Sequence, residues 1–178
     1  MYVGRPEIPW HEGLDLPAAA LPHLIIAFKK AVEPLTTHGL AGSGVQPVVL
    51  RIGTVWGPLV DPRSPFCPIP SLVNGASPPP DLHTDDGGDV CDAPDAGRAI
   101  ALLTTAETVN HEVYNVSSGR PFTYGEFAAA LGTTLPPGGA SGPYLDISRL
   151  TADTGFKPQF DVPASVADYL KWREDNAR

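Results

Sequence analysis

Apolar residues recur at three- and four-residue spacing along 21–38, at Leu21, Leu24, Ile25, Phe28, Ala31, Val32 and Leu35. That period predicts an amphipathic helix. Ile26 and Ala27 widen its apolar face, which predicts burial on two sides, and Gly39 supplies a stop. After a turn at Gly42-Ser43-Gly44, the β-branched run Pro47–Ile52 predicts a short strand. Its continuous apolar character fits a parallel strand covered on both faces. Helix, glycine turn and strand together imply a βαβ-type unit whose first strand lies outside the pattern.

Further along, residues 57–88 read as loop, with a short helix near Ile69–Asn74 and a stiff Pro78-Pro79-Pro80 run. A second helix is expected from Ala93 to Glu107, with Ala96, Ala99, Ile100 and Leu103 on one face, and a strand at Glu112–Val116. Thr123 and Glu126 have the spacing of a capping box ahead of Phe127, Ala128 and Leu131. Tyr144–Ile147 reads as a strand and Ser148–Thr154 as a helix closed by Gly155. Asp161 caps a last amphipathic helix that turns Val162, Val166, Tyr169 and Leu170 inward. Residues 1–20 are punctuated by proline and glycine and read as irregular.

Composition narrows the class. The chain has 178 residues, enough for one domain, a net charge of −8 and 42% hydrophobic residues. The acidic balance argues against nucleic acid as a partner. No stretch has the length of a membrane span and no leader pattern opens the chain. With only Cys67 and Cys91, a disulfide framework is excluded and a reduced, cytoplasmic setting is expected.

Several segments in order carry a resemblance. Val49-Leu-Arg-Ile-Gly-Thr-Val-Trp-Gly-Pro58 resembles the V-L-R-x-x-N-V-Y-G-P pattern of the extended short-chain dehydrogenases/reductases, the NAD-dependent epimerase/dehydratase family. Glu112-Val-Tyr-Asn-Val-Ser-Ser-Gly119 resembles that family's E-V-Y-N-V-G-S-G strand. Asp89, Asp95, Arg98, Ala99 and Ile100 match its D-F-V-Y-V-D-D-V-A-R-A-I segment. Leu145-Asp-Ile-Ser-Arg-Leu150 with Gly155-Phe-Lys-Pro158 resembles its closing L-D-x-S-K-L…G-W-x-P pattern, and Lys29-Lys-Ala-Val-Glu33 the end of its catalytic helix.

The resemblance covers the C-terminal part of the family fold. It implies an α/β fold: a partial Rossmann-type parallel sheet with helices plus a small α/β substrate lobe, with the N-terminal dinucleotide-binding half absent. A single domain over 1–178 is expected. Residues 1–56 correspond to the Rossmann-type half with the catalytic-helix counterpart, and 57–178 to the substrate-lobe region, with their elements interleaved. The turn Gly39–Gly44 follows a helix and precedes a strand, the reverse of the context in which glycines admit a pyrophosphate. No cofactor is therefore expected on the isolated chain, although the family implies NAD or NADP.

The family places a Tyr four residues before a Lys, so that the phenolate accepts a proton as hydride moves to the cofactor. With Lys29 as the family lysine that position is Ile25, and with Lys30 it is Ile26; neither carries a phenol. Lys29 stands as a vestigial catalytic counterpart, set against the plainer reading of a solvated surface lysine. Thr54 takes the place of the family's Asn, and Gly88 that of an Arg that binds phosphate. The resemblance implies substrate-binding positions at Arg51, Thr54 and Trp56. Arg51 is equally readable as a structural pairing residue, and Trp56, like Trp10 and Trp172, as a packing aromatic. Cofactor contacts fall at Gly53 and Val55 only if a cofactor half is supplied.

Elsewhere the chemistry is sparse. His83, Asp85, Asp86, Asp89, Asp92 and Asp95 form an acidic stretch whose spacing fails the EF-hand pattern, so no metal is expected and a solvated loop leading into a helix N-terminus is the plain reading. Ser117-Ser118-Gly119 lacks the hydrolase elbow, and Cys67 has no basic neighbour to activate it.

The expectation is a truncated epimerase/dehydratase-like protein without independent catalysis. The alternatives are a small-molecule or nucleotide-sugar binding or regulatory module, and one half of an NAD(P)-dependent enzyme completed by another chain. Partners are expected at helix 21–38, either a second copy or a separate Rossmann half.

Overall fold

The computed structural model describes residues 1–17, 24–61, 67–75 and 81–176. Helix α1 spans Leu24–Gly39 and leads into strand β1, Val49–Ile52, and then β2, Thr54–Trp56. The first residues of the expected helix, 21–23, and the run Pro78-Pro79-Pro80 lie outside the described residues. The remaining elements are α2 (Ile69–Val73), β3 (Gly87–Gly88), β4 (Val90–Asp92), α3 (Ala93–Thr105), β5 (Val113–Val116), β6 (Phe122–Thr123), α4 (Tyr124–Ala130), α5 (Ser148–Thr154) and α6 (Val162–Asp175). Among the described residues, no helix is long and apolar enough to cross a membrane.

The pairing is mostly parallel, as α/β connections require. β1 lies parallel to β5, from Val49 opposite Val113 to Ile52 opposite Val116. β2 lies parallel to β4, with Trp56 opposite Asp92. The extended segment thus changes partner at Gly53, whose N–H still donates to Val116 O at 2.9 Å while Ser118 N–H donates to Val90 O. β3 and β6 add a small antiparallel pair. Tyr144–Ile147 does not form the expected strand; only a bridge between Trp10 and Leu145 survives, because its neighbour there is the irregular N-terminal segment.

Two apolar clusters hold the elements. Cys91, Ala96, Ala99, Leu103, Tyr114, Val116, Leu150 and Phe156 join β4, α3, β5 and α5, with Leu50 of β1 packed against them. Trp56, Ile69, Phe122, Phe127, Val162, Val166 and Tyr169 join β2 to α2, α4 and α6. The Trp56 ring meets Phe127 edge-on at 5.2 Å. The capping box forms as the sequence predicts: Glu126 N–H donates to Thr123 Oγ1 and Thr123 N–H to Glu126 Oε2. Gly155 closes α5 in the left-handed region at φ 69°, where a side chain is disfavoured.

Helix α1 departs from expectation. None of its residues is buried. Leu24 is 82% exposed, Phe28 and Leu35 each 68%, and Ile25 and Val32 are exposed beside them. The helix touches the sheet through the opposite side, where Glu33 meets Arg51, and no described element covers its outer face. β1 is likewise not covered on both faces, since Ile52 is exposed and one face carries the buried Arg51.

The acidic stretch is also not a solvated loop. Asp95 is 2% exposed, Asp92 is buried and Asp89 is half-buried. Asp95 accepts from the backbone N–H of Gln159 and of Phe160 and pairs with Arg98 at 2.7 Å, so it anchors the segment before α6 onto α3.

Candidate functional site

In open α/β sheets the carboxyl ends of the strands are where ligands gather. Here a cleft of about 710 Å³ opens at the end of β1, between the Gly53–Val55 segment and the first half of α1. Lys29, Arg51, Gly53, Thr54 and Val55 all line it, so the structure brings together five of the six side-chain and backbone positions singled out from the sequence. Trp56 lies elsewhere. Its indole is buried against Phe127 and Tyr169, and Nε1 donates to Ser165 Oγ at 3.0 Å.

Ile25 and Ile26 line the same cleft as Lys29. One helical turn before the lysines, the wall is therefore hydrocarbon, with no group that exchanges a proton. Lys29 itself is exposed, whereas Lys30 turns back to donate to Pro17 O. Thr54 and Val55 are exposed at the rim.

Arg51 is held from three directions. Its Nε and Nη2 donate to the two carboxylate oxygens of Glu33 at 2.9 and 2.7 Å. Its Nη1 donates to Tyr2 Oη at 2.7 Å and to Glu12 O at 3.4 Å. Burial works against the guanidinium charge, but the bonds to Glu33 and Tyr2 outweigh it and raise its pKa. Tyr2 Oη donates onward to Asn115 Oδ1 at 2.8 Å. Asn115, fully buried in β5, takes Glu12 Oε1 on its N–H and gives its amide hydrogens to Trp10 O and Asp146 O. This network fastens the irregular N-terminal segment and α1 to the sheet, which is the structural side of the two readings of Arg51.

Behind the cleft floor lies Asp89. Its Oδ1 accepts from Ser117 Oγ at 2.5 Å and from Leu145 N–H at 3.2 Å. Its Oδ2 is buried with no hydrogen-bond partner. Burial pushes this carboxyl up to about 6, against the lowering effect of the Ser117 and Leu145 bonds. A Cβ on Gly53 would collide with Asp89 Oδ2, so glycine is required by close approach at that turn.

Sequence reading passed over Tyr2, Glu12 and Asp89 as site residues. Glu12 and Tyr2 find their partners more than a hundred residues away, and no local pattern carries that. Asn115 did leave a trace, as a lone amide inside the apolar run Val113–Val116.

Among the described residues, no three His, Cys, Asp or Glu side chains are grouped so as to hold a metal ion. The glycines that could be read as a phosphate turn, Gly42 and Gly44, have positive φ but stand in open space between α1 and β1. That geometry does not fit a dinucleotide's pyrophosphate, which needs converging N–H groups at a helix N-terminus. Burial raises the Cys67 thiol pKa, which keeps it protonated and unreactive.

No family model matches the sequence, and no curated protein is similar to it at a significant level. Solved structures are similar in fold. The UDP-glucuronic acid 4-epimerase of Bacillus cereus, solved with NAD, superposes with a TM-score of 0.77 at 16% identity over 99% of this chain and 59% of its own. The UDP-N-acetylglucosamine 4-epimerase of Methanobrevibacter ruminantium M1, solved with UDP-N-acetylmuramic acid, gives 0.73 at 25% identity over 97% of this chain and 59% of its own. The dTDP-glucose 4,6-dehydratase of Bacillus anthracis, solved with NAD, gives 0.73 at 19% identity over 97% and 58%. The chain therefore has the α/β fold of the NAD-dependent nucleotide-sugar epimerases and dehydratases, the extended short-chain dehydrogenase architecture, over about three-fifths of those chains' length.

Proposed function

We propose that these 178 residues form an epimerase/dehydratase-like ligand-binding unit that does not carry out proton and hydride transfer on its own. The observation behind this reading is the wall one helical turn before Lys29: Ile25 and Ile26 stand there, around a cavity of about 710 Å³, where the resemblance would place a phenol for proton transfer. The phenol that does line the cavity, Tyr2, is buried with its hydroxyl held between Arg51 and Asn115. Lys29, Thr54, Gly53 and Val55 are the positions we assign to ligand contact, Gly53 and Val55 toward a cofactor only when a cofactor half is present. Arg51 and Trp56 we assign to scaffolding, on their buried partners. The two free, buried cysteines accord with a cytoplasmic setting, which is part of the same proposal.

The test is a titration of the purified chain with NAD, NADP and their reduced forms, read by nicotinamide fluorescence, alongside UDP-glucuronic acid read by calorimetry. The expected result is no nicotinamide binding and no conversion of the sugar nucleotide to an epimer or dehydrated product, followed by chromatography. Saturable NADH binding with turnover by the chain alone overturns the reading.

A second reading, supported by the exposed apolar face of α1, is assembly with another protein surface. Ile25, Phe28, Val32 and Leu35 follow a three-four-three spacing on that face, the pattern of a helix-pairing seam. The partner on this reading is a second copy of the chain or a separate Rossmann half.

A further inference from the structure

Hydrocarbon dominates the cleft at the end of β1. Ile25 and Ile26 of α1, Ile52 of β1, Val55, Val60 and Leu145 all line it. Ile25, Ile52 and Val55 are exposed, so part of this apolar lining faces water in the free chain. Covering it is favourable by about 25 cal/mol for each Å² of apolar surface removed from water. The concave volume of about 710 Å³ is in the range that encloses a small organic molecule.

Few polar groups in the cleft are free to meet a ligand. Arg51 is engaged by Glu33, by Tyr2 Oη and by Glu12 O. The Tyr2 hydroxyl lies between Arg51 and Asn115. Asp89 accepts from Ser117 Oγ and Leu145 N–H and lies under Gly53, so its charge falls at the floor and not on the α1 wall. Thr54 adds a neutral hydroxyl at the exposed rim. Lys29 is the exception. It is exposed, lines the cleft and, among the described residues, ends on no hydrogen bond or ion pair.

Charge around Lys29 is one-sided. Lys29, Lys30, Arg51 and the Met1 amino group act on one another there. Burial first, and then Lys30, Lys29 and Arg51, lower the pKa of the Met1 ammonium, with Glu33 opposing them. Glu33 is already paired with Arg51, and Glu12 is drawn away to Asn115 N–H and Arg149. In a chain of net charge −8, this wall is a local excess of positive charge, which attracts an anion and repels a cation. It is also a limited excess. A diphosphate group is gripped by paired, bidentate donors, and Arg51, the guanidinium that lines the cleft, has its fork turned to the Glu33 carboxylate.

We propose that the cleft binds a monoanionic amphiphile, a small molecule whose hydrocarbon body lies against Ile26, Val55 and Leu145 and whose single carboxylate or comparable anion meets Lys29. The proposal rests on the ligand-binding reading above and narrows its ligand class.

The experiment titrates the chain by calorimetry with decanoate, decanol and decylammonium, each kept below micelle-forming concentrations, and separately with UDP-glucuronic acid. Saturable decanoate binding is expected, about fivefold tighter than decanol, with decylammonium weakest. Lys29→Met should bring decanoate to the level of decanol. Ile26→Glu should weaken both by about tenfold or more, because it sets a charge against the hydrocarbon body. Leu24→Ser, exposed on α1 outside the cleft, should bind decanoate as the wild type does. Equal affinity for decanoate and decylammonium, or undiminished decanoate binding by Ile26→Glu, overturns the proposal. Should the variants fail to fold, nuclear Overhauser contacts in the wild-type chain decide. Contacts from decanoate methylenes to the Ile26 and Val55 methyl groups support the proposal, and contacts confined to Phe28 and Leu35 overturn it. UDP-glucuronic acid bound with no decanoate binding overturns this inference and leaves the ligand-binding reading standing, whereas binding of neither removes both.

Discussion

Gly53 and Arg51 show how differently two nearby residues, one in β1 and one in the link to β2, register in a sequence. Arg51 can be picked out, yet its role depends on Glu33 and Tyr2, which approach it only after folding. Arg51→Met leaves Glu33 with a half-buried, uncompensated charge. The expected loss is about 3 kcal/mol, read by urea denaturation, and partial recovery in Arg51→Met/Glu33→Leu separates the pair from simple packing. Gly53 matters for what a methyl group would strike: Asp89 Oδ2 and Ser117 Oγ. Gly53→Ala is expected to cost about 1–3 kcal/mol as overpacking, measured the same way, whereas Gly39→Ala, with open space around it, should cost nothing measurable or stabilise α1 slightly. The aspartates were misread at this scale. Their run of acidic letters looks like a solvated loop, and only tertiary contacts, to Ser165 at 73 residues' distance and to Gln159 at 64, reveal buried anchors.

Elements whose determinants are local are those the sequence predicts well. α4 is set by its own first turn, because Thr123 and Glu126 satisfy each other's backbone. Thr123→Ala should therefore cost about 1 kcal/mol, visible as a lower urea midpoint with unchanged slope. α5 ends where Gly155 adopts positive φ, and α6 starts where Asp161 caps Ala164. By contrast, the apolar spacing of 24–35 gives the right element with the wrong surroundings. Periodicity reports that a helix has an apolar side, and says nothing of what lies opposite it. The segment 144–147 failed for a related reason, since strand character needs a partner edge and the N-terminal segment offers Leu145 a single bridge at Trp10.

For the whole molecule, the fold class was legible because five segments keep their order and spacing along the chain, and order is what survives at 16 to 25% identity. Five of the positions singled out in the sequence, Lys29, Arg51, Gly53, Thr54 and Val55, line the cleft, whereas Tyr2 and Asp89 beside them leave no local signature as cleft residues. An exposed apolar seam on α1 favours association. Light scattering at tens of micromolar is expected to report a mass above that of the 18.8 kDa chain, reduced to the monomer by Phe28→Ser/Leu35→Ser. A strictly monomeric wild-type chain counts against assembly through α1. The bond from Trp56 to Ser165 also has a spectroscopic side. Of the three tryptophans, Trp56 is 1% exposed while Trp10 and Trp172 are half-buried. Its indole N–H ends on the hydroxyl that Asp92 shares. The chain thus carries an intrinsic optical gauge, in which blue-edge emission that is shielded from an aqueous quencher reports on one buried junction without a label.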